Sequence, residues 1–102
     1  MIKVIVNKRD NKISQIVVKG HANYDTFGKD IVCASVSTMM ITTINCINVL
    51  DESLDFEEKK GLLVIRVIKD TEVNQKLLDN LIIQFEELVS LYPKNIEIRN
   101  ED

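Results

Sequence analysis

The 102-residue chain has no tryptophan, one proline, three glycines, one histidine and two cysteines. Two cysteines are too few for a disulfide-stapled scaffold and fit free thiols in a reducing compartment. One histidine with two cysteines does not make a tetrahedral metal set at the usual spacings. No glycine-rich phosphate loop or serine nucleophile elbow is present, so neither a metal nor a cofactor is expected. A strong excess of charge of one sign is missing as well. Thirteen Lys and Arg against sixteen Asp and Glu leave a net charge of −3. That lacks the basic footprint of a protein that grips phosphate backbones, and direct nucleic-acid binding is not expected. No apolar run approaches the roughly 20 residues that cross a bilayer. Met1-Ile2-Lys3-Val4-Ile5-Val6 opens no long apolar stretch ending in small residues. A cytoplasmic protein without membrane contact is therefore expected.

Apolar residues make up 45% of the chain and charged residues 28%, which excludes intrinsic disorder. A chain of this length buries roughly 60–70% of its unfolded surface around one core. No repeat, low-complexity tract or linker divides it, and residues 1–102 read as a single domain. Residues 2–6 and 13–19, rich in Ile and Val, read as a β-hairpin across the polar stretch 7–12. Residues 21–30 carry neither helical nor strand period and read as a loop. Val32, Val36, Met40, Ile44 and Ile47 recur three or four apart, predicting a helix over 31–50. Leu54 and Phe56 alternate with polar residues, and the turn 58–61 leads into the apolar strand 62–68. A second helix is predicted over about 71–91, capped by Asp70 or Thr71 and ended by Pro93. Its apolar face is assigned to Val73, Leu77, Leu81, Phe85 and Leu88. Ile96 and Ile98 mark a last strand. The order ββαββαβ predicts an α+β fold, a two-layer α/β sandwich with both helices on one face of a mixed, largely antiparallel sheet. Strand order stays open.

His21 follows Gly20 at the mouth of the 21–30 loop, and Cys33 lies just inside the first helix. With Asp30 as cap, Cys33 is the third helical residue, where unpaired N–H groups and the helix dipole stabilise a thiolate. A base within reach of such a cysteine is the minimal nucleophilic constellation. Cys46, thirteen residues on, lies about 20 Å along the same helix, too far for a disulfide to Cys33. It reads as filler. Carboxylate runs such as Asp55-Glu57-Glu58 read as solvated faces.

Gly20-His21-Ala22 and then Gly28-Lys29-Asp30-Ile31-Val32-Cys33-Ala34-Ser35-Val36-Ser37 resemble the two linked motifs of the ribosomal-processing cysteine protease family, Prp. The similarity in length and element order covers essentially the whole chain. The resemblance implies a homodimeric cytoplasmic cysteine endopeptidase. Its implied substrate is the N-terminal extension of a large-subunit ribosomal protein, cut after an aromatic residue. Cys33 is then the nucleophile and His21 the general base. Asp30 matches the motif acid, as His21 orienter or as helix cap, and Ser37 matches the serine one turn beyond the cysteine. Backbone N–H groups around Ile31 to Ala34 are the expected oxyanion donors, since a helix start leaves them unpaired. Tyr24 and Phe27 of the loop and Met39 or Met40 of the helix are candidates for the pocket that takes the aromatic side chain. Two other readings remain: a non-catalytic ribosome-assembly domain in which His21 and Cys33 merely pack, and a thiol hydrolase of small acyl substrates.

Overall fold

A computed structural model describes residues 1–26 and 29–101. Its order is β1 (Ile2–Arg9), β2 (Lys12–Lys19), α1 (Ile31–Leu50), β3 (Leu54–Lys59), β4 (Leu62–Val67), α2 (Glu72–Leu91) and β5 (Ile96–Glu101). The first hairpin is tighter than its polar stretch suggests. Arg9 pairs with Lys12 across a two-residue turn, with Asp10 and Asn11 both at positive φ (51° and 65°). Such turns match the twist of paired strands, and Asp and Asn tolerate that backbone best after glycine. The strands therefore run on through residues whose side chains alone read as loop.

The sheet order is β3-β4-β2-β1-β5. Three pairings are antiparallel, and β5 alone lies parallel to its neighbour β1. The long α2 crossover permits this, because a parallel pair cannot be joined by a tight turn. Ile2, Val4 and Val6 of β1 alternate inward with Ile16, Ile65 and Ile96 to meet both helices in one core.

Helix α1 buries Val32, Val36, Met40, Ile44 and Ile47, the stripe its periodicity predicts. It also carries no charged residue over twenty positions, with a hydropathy of 1.5 in its most apolar window. By length and composition alone it could cross a bilayer, contrary to the reading of the apolar runs. Its stripe is instead spent on the protein core. Helix α2 differs from expectation at its start. Val73 is exposed, and the buried row is Asn74, Leu78, Leu81, Phe85 and Leu88. Asn74 turns inward because every polar atom of its side chain finds a partner. Its amide accepts from the Thr71 N–H (3.1 Å) and donates to Ser53 Oγ and the Lys69 carbonyl (both 2.8 Å). Thr71 Oγ1 accepts the Asn74 N–H in return, completing a reciprocal cap.

Candidate active site

Strand β2 ends at Lys19, and Gly20 turns the chain away from the sheet with φ +93°. A Cβ at this position would lie 2.5 Å from the Met1 carbonyl oxygen, so only glycine fits. The Gly20 N–H donates to the Gly61 carbonyl (3.0 Å), tying the exit of β2 to the β3–β4 turn. His21 consequently lies over Gly61, its Nε2 3.6 Å from where a Cβ would stand there. The imidazole is exposed to solvent.

Cys33 sits one turn into α1 and is half-buried. Its Sγ accepts the N–H of Ala22 (3.3 Å), the residue after His21. Among the described residues no hydrogen bond joins His21 to Cys33, yet both open onto the same cleft of about 1010 Å³.

Asp30 resolves the choice left open between orienting His21 and capping the helix. One carboxylate oxygen accepts the N–H groups of Val32 and Cys33, each at 3.0 Å. The other accepts those of Tyr24 (2.9 Å) and Asp25 (3.3 Å). Both oxygens are thus engaged by backbone, and the side chain clamps the loop to the helix start. Burial pushes its pKa up, but the four N–H donors outweigh that and hold the carboxyl below its ordinary 3.8. The clamp also corrects the expected oxyanion donors. The N–H groups of Val32 and Cys33 belong to the Asp30 side chain, and that of Ala34 to the Asp30 carbonyl (3.1 Å). Ile31 does not line the cleft.

Ser37 lies on the cleft wall beside Ala34, and Ile2, Val18, Val36 and Leu63 form an apolar floor. The opposite wall is the β3–β4 turn from Glu58 to Leu62. Glu58 is solvent-exposed as expected and also borders the site, where the strand register carries it. The residues expected to form the aromatic pocket are placed elsewhere. Met40 is fully buried in the core, and Met39 packs against that core. Tyr24 meets Tyr92 edge-on, ring centroids 5.2 Å apart. None of the three lines the cleft, and Phe27 lies outside the described residues. Val36 and Ser37, one turn beyond Cys33, share its cleft, whereas Met39 and Met40, about 10 Å along the axis, do not line it. Among the described residues no group of three or more His, Cys, Asp or Glu side chains is placed to hold a metal.

A helix-borne thiol and an imidazole on one open cleft define the outline of a thiol-dependent hydrolase. The model of the cysteine protease Prp family matches residues 1–97, and the chain belongs to that family. It is 28% identical over 107 residues to the ribosomal processing cysteine protease Prp of Bacillus subtilis, covering 96% of each chain. It is 25% identical over 103 residues to the Prp of Staphylococcus aureus, covering 96% of this chain and 97% of that one. The crystal structure of S. aureus Prp with a covalently linked product peptide superposes with a TM-score of 0.93 at 26% identity, over 99% of this chain and all of the other (100%).

Proposed function

We propose that this protein is an endopeptidase that removes the N-terminal extension of a large-subunit ribosomal protein, cutting after an aromatic residue. Cys33 is the nucleophile and His21 the general base, acting within one domain in the cytoplasm. The observation that carries the reading is that Cys33 and His21 open onto one cleft with an apolar floor. The S. aureus relative, crystallised with a covalently linked product peptide, supports covalent chemistry at such a cleft.

His21 stands next to the residue whose N–H touches the sulfur. Its Cα is only about 2.5 Å from that nitrogen, two bonds away, so rotation of an exposed side chain brings the ring to the thiol. His21 takes the thiol proton, and the thiolate attacks the scissile carbonyl to form a thioester. The imidazolium then protonates the leaving amine, and His21 activates the water that releases the acyl group. The aromatic side chain on the acyl side of the cut lies against Val18, Val36 and Leu63, in place of Tyr24, Met39 and Met40.

Incubation with the ribosomal precursor of its own organism should give a trimmed N-terminus by mass spectrometry, and the Cys33→Ala protein should give none. Replacing the aromatic residue of a substrate peptide by Ala should lower kcat/KM by roughly 30- to 150-fold, for a ring burial of about 2–3 kcal/mol. A precursor bound but left intact by the wild-type protein identifies a ribosome-assembly adaptor instead. Pairing of two copies, implied by the family resemblance, is part of the same proposal.

A further inference from the structure

The residue whose N–H meets the nucleophile is held, through its carbonyl in the following peptide, from the far end of the chain. Asn95, in the turn between α2 and β5, donates its Nδ2–H to the Ala22 carbonyl (2.9 Å), across 73 residues of sequence. Its own backbone is pinned on both sides. The Asn95 N–H donates to the Tyr92 carbonyl and the Asn95 carbonyl accepts from Ile2 N–H, each at 2.9 Å. Ala22 is 1% exposed, and Asn23 after it turns at φ +56°. The Ala22 segment is therefore fixed by its buried methyl, by Asn95 on its carbonyl and by the sulfur at its N–H.

Resting on the protease reading, we propose that the Ala22 N–H is an oxyanion donor and that Asn95 is the positioning residue that holds it. When Cys33 attacks, the sulfur–carbon bond forms and the carbonyl π pair moves to oxygen, the thiol proton having passed to His21. The new oxyanion is one bond removed from the carbon attached to sulfur. An N–H that rests 3.3 Å from Sγ needs only a small shift in its acceptor to serve that oxygen. The helix N–H groups of Val32, Cys33 and Ala34 are occupied by Asp30, and among the described residues Ala22 is the amide that contacts the sulfur. Collapse of the intermediate restores the C=O bond and expels the amine, which takes its proton from His21.

The test compares Asn95→Asp, of equal size but without a donor at neutral pH, with the wild-type full chain. Five quantities are measured: kcat and KM on a peptide substrate, the affinity of a peptide aldehyde, the rate of Cys33 alkylation by iodoacetamide, and the melting temperature. The aldehyde forms a hemithioacetal whose oxygen occupies the oxyanion position, whereas alkylation develops no oxyanion. The expected result is a fall in kcat of about ten- to a hundredfold with KM little changed. Aldehyde affinity should fall by a similar factor, while alkylation and melting temperature hold. Asn95→Ala, which introduces no charge, should behave alike and serves if the Asp variant unfolds. Wild-type kcat and aldehyde affinity in a folded variant overturn the proposal, as does an equal loss in alkylation. Aldehyde capture by the thiol does not depend on the ribosomal substrate, so a wrong substrate and a wrong oxyanion donor give different results.

Discussion

The two thiols of this chain set access against activation. Cys46 is exposed on α1 and Cys33 is half-buried, so access alone favours modification of Cys46. A thiol served by a neighbouring base reacts ahead of one that is merely open to solvent. Cys33 should therefore alkylate with iodoacetamide at pH 7 faster than Cys46, as read by peptide mapping over time. His21→Ala should reverse the order, leaving Cys46 the faster. Equal rates in the wild-type protein would show that His21 does not activate the thiol. The two residues proposed to react, His21 and Cys33, were legible in the sequence because each stands in a short local motif. Asn95 was not, because its side chain acts on a peptide 73 positions away and no local pattern marks it.

At the level of elements, the start of α1 and the loop before it behave as one unit through Asp30. Its carboxylate receives four backbone N–H groups, two from each side. Since the folded state holds this carboxyl below its ordinary 3.8, the group stabilises the fold at pH above that value. That contribution is lost as pH falls through the lowered value. Asp30→Asn can still cap the helix with its amide oxygen, but its NH₂ then faces N–H groups on the other side. Two donors lose their acceptor, at a cost of about 1–3 kcal/mol near neutral pH. Denaturant unfolding should show that loss at pH 7, and the two proteins should converge as the pH falls through the lowered value of the wild-type carboxyl. A loss that stays constant down to acid pH would exclude the ionised clamp. The cap position was readable from Asp30 preceding an apolar-periodic run. Its second pair of bonds was not, since it depends on the path of the loop.

For the whole molecule, the outer side of α1 is a surface suited to the second copy proposed above. Thr38, Ile41, Asn45 and Val49 lie exposed along it, with Val49 86% accessible, and the helix has no charge anywhere. A two-fold interface sets the same patch against itself, so a neutral face meets its copy without like-charge repulsion. The helix-free face of the sheet is less suited, because Lys3 and Lys19 pair across its strands. Sedimentation at micromolar concentration should give twice the 11.7 kDa chain mass. The double variant Ile41→Glu, Val49→Glu should sediment as a monomer while keeping its melting behaviour. A wild-type monomer, or a dimer untouched by both charges, removes this face from consideration.

What the sequence by itself determined was everything written in local spacing. The helical stripe of α1, the strand alternation, the ββαββαβ order and the two short motifs that single out His21 and Cys33 as candidates each depend on residues within a few positions of one another. The tertiary structure decided what depends on register and on long closures. It set the order β3-β4-β2-β1-β5, turned Asn74 rather than Val73 inward, and brought the β3–β4 turn with Glu58 against the cleft. It also sent Met40 into the core with Met39 packed against it, and spent the helix N–H groups on Asp30. The physical reason is common to these cases. Periodicity tells which residues share a face, but partners for buried polar groups and neighbours across a sheet are chosen only when distant segments meet.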